Sequence, residues 1–111
     1  MIDAIVYSNP LEREAMYLVT GHFTFKPSAL GKAQGIMSKI MEKGRTERGI
    51  IRYTFYADPA EETRYFLFEE WESQETHDAH FNSEFMQAIV PELMNCFAED
   101  MDVKYYEAEL A

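Results

Sequence analysis

The segment FLFEEWESQETHDAHFNSEFM, residues 66–86, gathers side chains that could move a proton beside an aromatic wall. It holds the chain's only tryptophan, Trp71, and two of its three histidines, His77 and His80. Histidine titrates nearest to neutral pH and is the natural proton acceptor there. Trp71 stands where an apolar run turns polar, a place where a strand end can form one side of a pocket. Tyr53 adds a phenolic donor and His22 a second imidazole. Glu69 shares the strand parity of Trp71. Each has a plainer reading. His80 can close a helix end, Trp71 can fill core, and Tyr53 can pack in a sheet. A buried Glu69 must find a helix end or Tyr53 to bond, because an unpaired buried charge is costly.

The elements that position these groups follow from spacing. Residues 1–14 read as an arm or a short helix, and 15–111 as one domain. MYLVTGHFTF (16–25), GIIRYTFYAD (49–58), TRYFLFEEW (63–71) and MDVKYYEAEL (101–110) are rich in β-branched and aromatic residues and predict strands. Leu30, Ala33, Met37, Ile40 and Met41 recur at helical spacing, with Ser28 as the expected N-cap and Gly44 as the stop. Ser73 opens a short helix, and Asn82-Ser83 interrupts it and starts another. That last helix carries the stripe Phe85, Met86, Ile89, Leu93, Met94 and Phe97, and Pro91 inside it should kink or split it. The order βαββαβ predicts an α+β, ferredoxin-like fold, a four-stranded antiparallel sheet with helices on one face. Strands two and three carry apolar residues on both parities. A bare apolar face is unusual for a soluble monomer, so a homodimer packed sheet on sheet is expected.

The 111 residues are enough for one core and carry a net charge of −10, from 20 acids against 10 bases. Such a surface repels phosphate backbones and anionic lipid, so neither nucleic acid nor membrane is an expected partner. No apolar run approaches the ~20 residues that span a bilayer. Cys96 is the only cysteine and cannot form an internal disulfide. With no basic leader at the N-terminus, the expected compartment is the cytoplasm. His77 and His80 are spaced i, i+3 with Asp78 and Glu84 nearby, but two histidines do not close a ligand set and His-Glu-x-x-His is absent, so no metal is expected. No Gly-rich loop signals a nucleotide.

The block YFLFEEWESQETHDAHFNSEFMQA resembles the signature of the antibiotic biosynthesis monooxygenase family, carried by Glu69, Trp71, Ser73, His80, Ser83 and Phe85. GIIRYTFYAD is similar to that family's Gly-x-x-x-Tyr strand, through Gly49 and Tyr53. The likeness extends over about residues 16–110. It implies a dimeric α+β barrel. It also implies, for the oxygenases of the family, oxidation of phenolic or quinol-type aromatics by O2, several of them without metal or flavin. Haem-degrading members resemble each other in an Asn and a ligand His that align near Gly21 and Val90 here, so their pattern is missing.

Deprotonation makes a phenol electron-rich enough to react with triplet oxygen. A cofactor-free site therefore needs a base, a dry aromatic cavity and donors for the anion. His80 is the expected base, Tyr53 the donor and His22 a second base. Expected substrate contacts are Trp71, Glu69, Arg52 and Phe85. Arg52 has the opposite parity to Tyr53, so it could take an acidic substituent or pair with a partner carboxylate. The expected reaction is a cofactor-independent monooxygenation of a small aromatic. A non-catalytic dimer that binds aromatic ligands, and an isomerase or lyase with a proton-moving histidine, are the alternatives.

Overall fold

The computed structural model describes residues 15–111, so the arm or helix expected at 1–14 lies outside the described residues. Strand β1 spans Met16–Thr24, followed by a 3-10 turn at Pro27–Ala29 and helix α1 at Leu30–Gly44. Strands β2 (Ile50–Asp58) and β3 (Glu61–Trp71) form a hairpin. Helices α2 (Gln74–Phe81) and α3 (Glu84–Met94) come next, and β4 (Asp102–Ala108) closes the chain. The four strands lie in the order β2-β3-β1-β4, each neighbouring pair antiparallel. This is the expected ferredoxin-like α+β arrangement.

Local chemistry explains most boundaries. Asp58 Oδ1 accepts from the Ala60 N–H at 2.7 Å, which tightens the hairpin so that β3 begins at Glu61 rather than at residue 63. Ser73 and Ser83 cap α2 and α3 through the Thr76 and Met86 N–H groups at 3.2 and 3.3 Å. Ser28 does not cap α1. It sits in the 3-10 turn that Pro27 starts, and the N-cap is Ala29, without a side-chain bond. Pro91 does not split α3. It removes one bond, to the carbonyl four residues back, close to an end that the helix reaches at Met94.

The sheet's inner face and the helices share one core. Val19, Phe23, Phe25, Phe55 and Leu67 pack against Ala33, Met37 and Ile40 of α1 and Met86, Ile89 and Leu93 of α3. In β2 the register slips between Ile50 and Arg52, so that Ile50 pairs with Trp71 while Arg52 pairs with Glu70. This bulge ejects Ile51, which is 48% exposed, and brings Ile50 against the core with Tyr53 and Phe55. Strict alternation places Ile51 on that inner side, and the bulge is the reason it is not there. The opposite sheet face carries Leu18, Phe66 and Phe68, half-buried, and the exposed Tyr56 and Tyr106.

Two glycines set how closely these layers approach. Gly44 does more than end α1: a Cβ there would lie 2.7 Å from the Tyr53 ring, so its absence lets that ring lie under the last helical turn. Gly49 holds φ +84, and a Cβ on it would come within 2.5 Å of Thr76. Gly49→Ala therefore combines backbone strain with a clash at the β2–α2 contact. It should lower stability by roughly 1–3 kcal/mol in urea unfolding, with α2 disturbed first.

Candidate active site

Alternation along β3 turns Leu67, Glu69 and Trp71 inward. Trp71 is fully buried, and its indole N–H donates to Glu69 Oε1 at 2.8 Å. Tyr53 lies opposite Glu69 in the β2–β3 register, which brings hydroxyl and carboxyl together on the same face. The Tyr53 ring meets Trp71 edge to face, with centroids 6.3 Å apart. His80, in the last turn of α2, comes down on both rings at 5.3 Å from Tyr53 and 5.1 Å from Trp71. Its Nε2 is 3.2 Å from the Tyr53 hydroxyl and its Nδ1 3.5 Å from Glu47 Oε1. Nδ1 faces the Glu47 carboxyl and donates to it, which leaves Nε2 as an acceptor, and the single Tyr53 O–H turns to Nε2 or to Glu69, one at a time.

A cavity of about 110 Å³ opens on the other side of Tyr53 and Glu69. Buried Val19, Phe23, Phe55 and Leu67 line its inner part, and the exposed Phe81, Met94, Met101 and Tyr105 line the side toward solvent, its mouth. Among the described lining residues the ionisable groups are Tyr53, Glu69, His77 and Tyr105, and none is a lysine or arginine. His77 stacks on Phe81 at 6.1 Å, meets Tyr105 edge-on at 5.7 Å, and holds Asp78 Oδ1 at 2.9 Å through Nδ1.

Burial governs the electrostatics. The loss of water raises Glu69 from the ordinary 4.5 to about 7, against the lowering effect of its bonds to Trp71 and Tyr53. Tyr53 is pushed well above the usual phenol value, first by burial and then by the Glu69 charge, so it stays a neutral donor. Burial lowers His80, opposed by its bond to Glu47, so the imidazole is neutral near pH 7. The cavity thus presents one carboxyl poised to gain or lose a proton near neutrality, inside an aromatic shell.

The structure brings together His80, Tyr53, Glu69 and Trp71, but in two layers. Tyr53 and Glu69 line the cavity, whereas Trp71 and His80 stand behind them. His80, the expected base, therefore reaches the cavity only through Tyr53. His22 is on the outer sheet face against Phe66, at 5.0 Å, because its neighbours Gly21 and Phe23 take the inward positions of β1. Arg52 is also on that outer face, 3.8 Å from Glu70 of its own chain. Phe85 packs half-buried at the start of α3, and the next residue, Met86, reaches the lining instead. His77, grouped in the sequence with Trp71 and His80 but not among the expected catalytic or substrate-contacting residues, lines the cavity, as does Tyr105, and Glu47 stands behind His80; neither Tyr105 nor Glu47 was expected at the site. Among the described residues no three His, Cys, Asp or Glu side chains gather as a metal site. Val90, near which the sequence resemblance aligned a haem-ligating His, lines the cavity.

The model of the antibiotic biosynthesis monooxygenase family matches residues 16–92, a span that includes β1 through most of α3. The chain belongs to the antibiotic biosynthesis monooxygenase family. The solved structures similar to this family member include a conserved protein from Methanosarcina mazei, with TM-score 0.80, 22% identity and coverage of 84% of this chain and 92% of that one. Another is a crystal structure described as an antibiotic biosynthesis monooxygenase, with TM-score 0.77, 23% identity and coverage of 83% and 97%. At such identities the likeness establishes the shared fold. The protein sll1783 of Synechocystis is 27% identical over 90 residues, which is 81% of this chain and 61% of that one. The chain thus spans less than two thirds of this curated relative.

The Glu69 shift gives a pH signature. From pH 4.5 to about 7 the folded protein holds a proton that the unfolded chain has released. The stability this contributes is complete below the lower value and is lost as pH rises through about 7, a change of about 3 kcal/mol. His80 works in the opposite direction, losing stability as pH falls below its ordinary 6.5. Wild type and Glu69→Gln share His80, so their difference isolates the carboxyl. Urea unfolding across this range should show the wild type losing about 3 kcal/mol relative to Glu69→Gln as pH rises.

Proposed function

We propose that this family member is a monooxygenase that oxidises a small phenolic or quinol-type aromatic with O2 and no other cofactor. The observation that carries the reading is the Glu69 carboxyl, titrating at about 7, in the wall of an aromatic cavity. A base with a value near the working pH combines the right protonation state with enough driving force. Glu69, rather than His80, is the group within reach of a ligand, and Tyr53 is the donor that steadies the phenolate beside it. The family name and the aromatic shell both support an oxidative reaction on a flat, electron-rich ring.

The step balances without an external reductant. Glu69 takes the phenolic proton, and the phenolate passes one electron to O2. The two radicals join as a carbon–peroxide bond on the ring. The ring proton passes to the outer peroxide oxygen as the O–O bond cleaves, which leaves a carbonyl on that carbon and releases hydroxide. The departing hydroxide takes the proton back from Glu69 as water. The ring gives up four electrons, two to the inserted oxygen and two to the water. A phenol becomes a quinone, and a hydroquinone becomes a hydroxyquinone.

Oxygen uptake with small phenols and hydroquinones tests this reading. Turnover should be lost under nitrogen, and Glu69→Gln should lower kcat by about 100-fold or more. Saturable binding of the same aromatics with no oxygen consumption in wild type would instead make the protein a carrier of aromatic ligands. The apolar outer face of the sheet supports pairing of two copies through Leu18, Phe66 and Phe68. Sedimentation should find a dimer in wild type and a monomer in Phe68→Glu, with the inner-face cavity still able to bind ligand.

A further inference from the structure

Glu69 is the cavity-facing end of a line of polar groups that continues away from the cavity. Tyr53 is next to it, His80 Nε2 lies 3.2 Å beyond the Tyr53 hydroxyl, and Glu47 Oε1 lies 3.5 Å beyond His80 Nδ1. The inner members are sealed: the Tyr53 residue is 2% exposed and the His80 side chain 1%. Glu47 is not. Its side chain is 23% exposed, and Lys43 Nζ lies 3.8 Å away at the surface. The loop between α1 and β2 therefore supplies a water-facing carboxylate to a line that starts in the cavity wall.

This placement matters once a ligand is bound. A flat ring seated in the cavity stands between Glu69 and the mouth at Phe81, Met94, Met101 and Tyr105. A proton held by Glu69 must leave before that carboxyl can accept one from the ligand. We propose that Tyr53, His80 and Glu47 form a proton relay that connects Glu69 to bulk water behind a bound ligand. The relay rests on the reading of Glu69 as the base. Glu69 passes its proton to the Tyr53 oxygen, Tyr53 passes its own to His80 Nε2, and His80 releases the Nδ1 proton to Glu47. One proton enters and one leaves. Rotation of the Tyr53 hydroxyl and tautomer exchange at His80 reset the line.

The surroundings suit neutral carriers. His80 is faced by Glu47, Tyr53 and Trp71, with His77 and Lys43 as further positive influences that disfavour a second charge on it. Glu69 is faced by Tyr53 and Trp71, and its charge is felt by Tyr17 and Tyr105. Glu47 acts through His80 and touches no ligand, so it is a positioning and proton-transfer residue.

A pH jump on protein-bound para-nitrophenol, a phenol whose anion absorbs visible light, tests the relay. Protein is kept in excess, and the jump crosses the value of about 7 at which Glu69 titrates. In wild type the bound phenolate should appear in a fast phase. Glu47→Gln should slow that phase by about tenfold or more and leave its final amplitude unchanged. In Glu47→Ala, added formate should restore the rate, which a merely structural loss would not allow. A wild-type rate in Glu47→Gln, or a slowed Glu47→Ala that formate leaves slow, overturns the relay. Failure of the base reading looks different: Glu69→Gln would then ionise bound para-nitrophenol at the wild-type rate and amplitude.

Discussion

The arrangement depends on keeping one carboxyl in a place that water does not fill. A glutamate moved from water into an apolar wall loses its hydration, and only bonded partners can offset the loss. The Trp71 indole N–H supplies one such bond, and Tyr53 across the strand pair supplies the other. Much of the neighbouring structure can be understood as support for that pair. The β3 alternation aims Glu69 and Trp71 the same way, and the register holds Tyr53 opposite. Gly44 leaves room for the Tyr53 ring, and the Ser73 cap fixes the helix that presses His80 against it.

The two faces of the sheet consequently differ in kind. The inner side holds the buried ionisable side chains Glu69, Tyr53, His77 and His80. On the outer face Arg52 meets Glu70 beside the half-buried Phe66 and Phe68. An ion pair in so exposed a position contributes little to stability. The physical effect of its separation from the cavity is that no fixed cation pulls Glu69 back toward full ionisation. An arginine on the inner side would lower the Glu69 value and remove its reactivity near neutral pH.

The fold was readable because its signals are local and mutually consistent. The two serine caps, the Asp58 turn and the β-rich runs each point to the same order of elements, and the Trp71–His80 block carries the family likeness. The positions of single side chains were less readable, for identifiable reasons. Parity placed Ile51 beside Tyr53, but a bulge of one residue reverses that, and a bulge leaves no mark in composition. The His22 reading overlooked a signal that was present: Val19, Gly21 and Phe23 alternate with Leu18, Thr20 and His22, and the second set is the more polar. His77 and His80 sit i, i+3, so both point into the protein, and only the packed structure shows which of them meets the cavity. Glu47 lies in the polar stretch Gly44–Gly49, where nothing in the spacing separates it from solvent-facing charges.

The choice of a carboxyl as the inner base also has an electrostatic logic. A protein with a net charge of −10 disfavours an anionic phenolate arriving from solution, so the ligand enters as the neutral phenol. If a neutral histidine took its proton, a dry site would acquire an ion pair where there had been no charge, and separating charge in low dielectric is expensive. When an ionised Glu69 takes the proton, the site's total charge does not change. The negative charge moves from carboxylate to phenolate, and Tyr53 can donate to either oxygen. The raised value of Glu69, about 7, lies closer to the ~10 of an ordinary phenol than a solvated glutamate does, which makes the exchange less uphill. Burial thus strengthens the base by the same desolvation that makes it costly to hold, and neutral His80 behind Tyr53 adds a way for protons to move without adding a standing charge.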